Sequence, residues 1–458
     1  MDSIKKRLFS KSGGDVDMTE GGIVRHLVLF SLPLLIGNIF QQLYNTVDTW
    51  VVGNYVSNEA FSAVGSVGPI INMLIGFFSG LASGAGVVIS QFYGAKRYDK
   101  VKNAVHTSIV MTFLMGVLFT AVGIFMTPYM LRFMKTPDEV FPESRAYLII
   151  YFSGVIGLMV YNMGSGILRA VGDSTKPFVY LVVSAVTNTV LDLVFVLVFK
   201  MGVEGVAYAT IIAQGLSAVL VLIELLRTES CIKLSIRELR IDRPTMSKII
   251  VIGIPAAIQM AVTSFSNVFV QSYINYFGKD FMSGWTAYAK IDQLILLPMQ
   301  SLALASTTFV GQNLGVGNEA RAKRGVRYAF VMSVVSTIVL MVPVMIFAPQ
   351  LTAFFNAEPN VVAYGALLLR LISPFYVLCC VNQIYAGALR GAGDSKVPMY
   401  IMLGSFVAFR QVYLFVCSLF WNNVYTIALA YPAGWIVASS ITLLYFHKVG
   451  LHKHKVVT

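Results

Sequence analysis

The stretch Leu168-Arg-Ala-Val-Gly-Asp-Ser-Thr-Lys-Pro177 returns 221 residues later as Leu389-Arg-Gly-Ala-Gly-Asp-Ser-Lys-Val-Pro398. At the same offset, Gln91 in SQFYGAKR maps to Gln312 in VGQNLGVG, and at 222 residues Pro33 in FSLPLL maps to Pro255 in VIGIPAA. Three matches at nearly one offset mark an internal duplication. Within each decapeptide the order of residue types predicts a tight helix–helix turn. One helix stops at Gly172 or Gly393, and Asp173 or Asp394 caps the next before its early Pro. An Arg–Asp pair is expected to close the turn.

On either side of these turns the chain is apolar. Of its 458 residues, 57% are apolar and only 12% are charged, too few charges to cover a water-facing surface. Stretches long enough to cross a roughly 30 Å hydrocarbon core recur from end to end. They run over 24–53, 60–88, 102–127, 144–167, 177–199, 205–227, 247–277, 284–310, 326–350, 361–388, 397–420 and 424–446. The fold expected is an all-α polytopic membrane protein with twelve transmembrane helices in two pseudo-symmetric six-helix lobes. The parts are an N-terminal segment (1–23), an N-lobe (24–227), a linker (228–246), a C-lobe (247–446) and a tail (447–458). Six spans per half make the repeats parallel in the membrane, an arrangement that commonly places substrate between the halves.

The net charge of +12 does not indicate nucleic acid, because the basic residues form short clusters between apolar runs and no continuous stripe. The N-terminus, the even-numbered loops and the C-terminus hold 26 of the 34 Lys and Arg, which places both termini in the cytoplasm. The four cysteines (Cys231, Cys379, Cys380, Cys417) form no CxxC, so neither metal nor redox chemistry is suggested. No cofactor is expected. The five histidines lie at span ends or in the tail, where solvated positions are the simplest reading.

An ionisable residue inside a span is expensive and therefore a functional candidate. Asn38, Gln41, Asn45 and Asp48 follow spacings of three, four and three, which puts them along one helical stripe facing an internal cavity. In the fifth span Asn188 and Asp192 share a face, and Thr210 lies in the sixth. At 1.5 Å per residue, Asp48, Asp192 and Thr210 fall roughly 8–12 Å below the outer surface. Two carboxylates, an amide oxygen and a hydroxyl at one depth suit either a shared proton or a Na⁺ ion. The second half keeps a polar line (Gln259, Thr263, Asn267, Gln271) without an acid. It contributes instead Lys290, Asp292 and Arg410 near mid-span, read as cavity-lining residues, with Asp292 also a candidate to neutralise a cation. Pro33 is a candidate hinge.

Together these residues resemble the multidrug and toxic compound extrusion (MATE) transporters. The resemblance covers essentially the whole chain. It is carried by Asn45-Thr-Val-Asp-Thr49, Val52-Gly53, Ala63-Val-Gly65, Ser90-Gln-Phe-Tyr-Gly94, the duplicated LRxxGDS and Asn188-Thr-Val-Leu-Asp192. It implies two lobes around a V-shaped central cavity and export of organic cations or other amphiphiles in exchange for H⁺ or Na⁺. The family's coupling acids fall on Asp48 and Asp192, their partners on Asn188 and Thr210, the bending proline on Pro33 and a cavity glutamine on Gln41. Members that couple through the C-lobe carry acids in the seventh and tenth spans, and this chain has none there. The resemblance is thus to the bacterial branch that couples through the N-lobe.

The expectation is a secondary antiporter in the cell membrane. It works as a monomer by alternating access on small amphiphilic organic compounds, organic cations first among them, with no nucleic-acid partner. No Walker A sequence is present to support ATP-driven export. A flippase of lipid-linked saccharides or other lipids is the alternative, since Lys290 and Arg410 would suit a pyrophosphate. A membrane-embedded enzyme lacks the clustered acids or histidines it would need.

Overall fold

A chain this apolar must satisfy its backbone hydrogen bonds internally, which favours helices over open strands. The structure, a computed structural model, describes residues 16–451 except 57 and 135. Side chains are described throughout except at 44, 45, 47–50, 53, 54, 58–62, 66, 265 and 268. Among the described residues there are helices and no strands. Eleven of these helices are long and apolar enough to cross a membrane, twelve if one bent pair counts as a single span.

In the first half the helices are α1 (Ile23–Tyr55), α2 (Asn58–Gly94), α3 (Tyr98–Phe133), α4 (Phe141–Ser153), α5 (Val155–Ala170), α6 (Thr175–Leu193) and α7 (Gly202–Arg227). In the second they are α8 (Arg243–Asn275), α9 (Lys279–Gly315), α10 (Glu319–Ile346), α11 (Ala348–Phe355), α12 (Pro359–Ile372), α13 (Tyr376–Gly391), α14 (Lys396–Met402), α15 (Arg410–Phe420) and α16 (Val424–Val449). The run 144–167 is divided between two helices, α4 and α5, bent by 47°. A π-helical turn, Val194–Val198, follows α6, and another, Leu403–Phe409, joins α14 to α15.

The duplicated motif forms the expected turn. Gly172 and Gly393 adopt φ of 89° and 94°, a left-handed conformation that only glycine enters without strain. Asp173 Oδ1 then accepts from the Thr175 and Lys176 amides at 3.0 and 3.1 Å, and Asp394 Oδ1 accepts from the Val397 amide at 3.2 Å. The expected pairing of Asp173 with arginine is corrected. Its ion partner is Lys176 at 3.5 Å, which also reaches Glu224 at 2.6 Å. The second carboxylate oxygen of Asp394 accepts from the Tyr445 hydroxyl at 2.7 Å.

The chain packs as two compact units that do not coincide with 24–227 and 247–446. The first comprises the described residues of Met1–Asp17 and Ile36–Gly253, the second those of Met18–Leu35 and Ile254–Thr458. The first unit's core gathers Val51, Val67, Leu148, Tyr151, Val155 and Val206 around aromatic side chains of α2 and α3. The start of α8 belongs there because Gly84 and Gly253 let two backbones touch. A Cβ on Gly84 would lie 2.3 Å from the Gly253 Cα. The second unit's core is richer in large aromatics, with Phe281, Trp285, Tyr288, Tyr376 and Trp435. Met18 belongs to this unit: its amide donates to Gln312 Oε1 at 2.9 Å, and Arg321 Nη2 donates to its carbonyl at 3.1 Å.

The linker is tied to one end of α3. His106 is buried, which corrects the solvated reading. Its Nδ1 lies 2.7 Å from the Lys102 carbonyl, and its Nε2 accepts from the Ser235 amide at 3.0 Å. Thr107 Oγ1 accepts from the Asp242 amide at 3.0 Å, Arg240 donates to Asn103 at 2.8 Å, and Lys102 pairs with Glu238.

Candidate functional sites in the two units

In the first unit α6 and α7 run antiparallel, and a hydrogen bond fixes their register. Ser184 Oγ donates to the Ala213 carbonyl at 2.7 Å. One turn further along α6 comes Asn188, and one turn back along α7 comes Thr210, so the register sets these two at the same level. Asp192 follows another turn along. Asn188 is 2% exposed and Asp192 0%. Neither amide atom of Asn188 has a hydrogen-bond partner among the described residues. Thr210 directs its hydroxyl hydrogen to the Val206 carbonyl at 2.9 Å, leaving its oxygen lone pairs as acceptors. A charge so deeply buried is costly, and a proton or a bound cation there would stabilise it. The π-helical turn directly after Asp192 is a feature often found at functional sites.

Of the polar stripe in α1, Asn38 and Gln41 are half-buried. The side chains of Asn45 and Asp48 lie outside the described residues. Pro33 is inside an uninterrupted helical segment, two residues before the point at which α1 passes from one unit to the other.

In the second unit the structure joins Asn267 to Arg410 and leaves the other candidates apart. Arg410 Nη2 donates to Asn267 Oδ1 at 2.8 Å and to Ser266 Oγ at 3.1 Å. Asp292 does not pair with a cation among the described residues. Its Oδ1 accepts from the Tyr376 hydroxyl at 2.5 Å and the Tyr288 hydroxyl at 3.2 Å. Lys290 is exposed. Gln259 Oε1 and Thr263 Oγ1 are buried without a partner among the described residues, whereas Gln271 is exposed and donates to Asn275 at 2.8 Å. Among the described residues no group of three His, Cys, Asp or Glu is placed to hold a metal ion.

A family model named MatE matches residues 33–194 and again 255–416, more than half of the chain in two copies. The chain belongs to the MatE family. Its relatives include a Bacillus subtilis protein named "Probable multidrug resistance protein YpnP", 30% identical over 436 residues, 94% of this chain and 96% of that one. A Shewanella oneidensis protein named "FAD transporter" is 23% identical over 378 residues, 80% of this chain and 82% of that one. A MOP superfamily transporter from Pyrococcus furiosus shares the fold, with a TM-score of 0.90 at 22% identity over 97% of this chain and 100% of that one. This MatE-family chain is accordingly a multi-pass membrane transporter of the multidrug-efflux type, not an enzyme.

Sequence reasoning missed several neighbours of these groups. Tyr288 was within reach, since it precedes Asp292 by one helical turn on the same face. Ser266 shares its helix with Asn267 but points to Arg410 only through tertiary packing. Tyr376 and Tyr431 come from helices far along the chain and carry no local signal.

Proposed function

We propose that this MatE-family protein is a secondary antiporter, exporting amphiphilic organic compounds in exchange for H⁺ or Na⁺ by alternating access, with both termini cytoplasmic. The coupling ion is taken by Asp48, Asn188, Asp192 and Thr210. The observation that carries the reading is the Asn188–Asp192 pair: a fully buried carboxylate one turn from a buried amide that has no partner among the described residues for either of its polar atoms. A group that merely held helices together would be bonded to them. The acid is also absent from the duplicate, where Asp192 corresponds to Tyr413. A structural pair would be expected in both copies.

Everted membrane vesicles energised separately by a pH gradient and by a Na⁺ gradient test this. Uptake of a fluorescent amphiphile should respond to one of the two gradients. Asp192→Asn and Asp48→Asn should each reduce the driven component to background while the protein remains inserted at wild-type abundance. Full gradient-driven uptake by either variant would remove that residue from the coupling site.

A further inference from the structure

Arg410 is held in place by neutral groups. It opens α15 with 4% of its surface exposed. Its two protein hydrogen bonds both leave from Nη2, to Ser266 and Asn267 of α8. Gln411 holds Ser266 from the other side, donating to its hydroxyl at 3.1 Å and its carbonyl at 3.2 Å. The guanidinium lies over the Tyr431 ring of α16, 4.8 Å from the centroid. Contacts from two helices therefore fix both the position and the plane of the group.

No carboxylate pairs with it among the described residues. Arg410 Nε is buried without an acceptor among the described residues. The acid Asp292 of α9 is engaged by the hydroxyls of Tyr376 and Tyr288. A guanidinium stays charged at any accessible pH, so it cannot escape this situation by losing a proton. A buried cation that is oriented on one side and left with free N–H donors on the other is suited to an anion. The π-helical turn Leu403–Phe409 ends directly before Arg410, a local geometry frequent at functional sites. Aromatic surface adjoins the charge: Tyr431 lies 5.5 Å from Trp285 and 6.3 Å from Trp435 between ring centroids.

We infer that Arg410 is the receptor for an anionic group, a carboxylate or phosphate, on an amphiphile whose ring or chain lies against Tyr431. This rests on the reading of the chain as a carrier of organic amphiphiles and narrows its cargo to molecules that bear a negative charge. A phospholipid headgroup presents the same chemistry, so the test separates the two sources.

The full chain is reconstituted in nanodiscs of phosphatidylcholine alone and titrated with 1-pyrenebutyrate and with its uncharged methyl ester, read by quenching of tryptophan fluorescence. The carboxylate should bind about tenfold more tightly than the ester, or better, as a charge-assisted contact requires. Arg410→Gln should abolish that preference, and Arg410→Lys should retain part of it. If adding phosphatidylglycerol to the nanodiscs displaces pyrenebutyrate, the anion is a lipid headgroup. If binding is unaffected by that lipid, it is the cargo's own. Equal affinity for acid and ester in the wild type, or an unchanged preference in both variants, would overturn the proposal. The wild-type comparison stands even if Arg410→Gln does not fold. Equilibrium binding needs no ion gradient, so a failure of the coupling scheme would leave this result unaffected.

Discussion

Asn188 has a buried amide with no partner among the described residues, and an amide left so destabilises a folded protein by about 1–3 kcal/mol. That penalty is measurable. Asn188→Leu should raise the melting temperature of the purified protein in ion-free buffer, because an isosteric apolar side chain needs no partner. The same substitution should erase any melting shift produced by adding the coupling ion. A lower melting temperature in ion-free buffer would mean that the amide is bonded in the resting protein. Asp192, one turn away, should behave differently: Asp192→Asn keeps the polarity but loses the charge, so its effect belongs to coupling rather than to stability.

The turn at Gly172 shows how little sequence is needed to fix one element and how much more to fix its setting. The glycine is required twice, by a φ of 89° and by the carbonyl of Val16, which a Cβ would approach to 2.4 Å. Gly172→Ala should therefore destabilise the protein by about 1–3 kcal/mol, seen as a lower melting temperature. Nearby, burial pushes the Asp173 carboxyl above its usual range despite the Lys176 contacts. The linker shows the opposite sign. Hydrogen bonds from Thr245 hold Asp242 below the usual carboxylate range, and Lys102 does the same for Glu238. Contacts of this kind are fully present above the unfolded-state value, near 4, and are lost as the pH falls through the lowered folded values. Amide hydrogen exchange over 235–245 should accordingly be slow near pH 7 and accelerate, relative to the intrinsic rate, below about pH 4. His106→Ala should accelerate exchange at Ser235 even at pH 7, since it removes that amide's acceptor.

The glycine stops and aspartate caps were legible because their chemistry is complete within ten residues. The break between α4 and α5 was not, because hydropathy is continuous through 144–167 and a bend leaves that average unchanged. The π-helical turns beside Asp192 and Arg410 had no signal, since one extra residue per turn alters geometry and not composition. His106 read as solvated because the Ser235 amide that it accepts from lies 129 residues away in sequence.

For the whole molecule the duplication was the most informative signal, and the differences between its copies told more about function than the likeness. The first copy carries the buried Asn188 and Asp192, and the second a buried arginine held by Ser266 and Asn267. The midpoint linker suggested that the chain divides there, but α1 starts in the second unit and ends in the first, while α8 does the reverse. Both transfers fall beside Pro33 and Pro255, where a helix lacks one backbone hydrogen bond and bends most easily. The start of each repeat's first helix is thus assigned to the other repeat's unit. A fragment carrying one repeat alone would lack a segment that packs into its own unit. Fragments 1–230 and 231–458 should accordingly be degraded when expressed singly and should reconstitute a working carrier when expressed together.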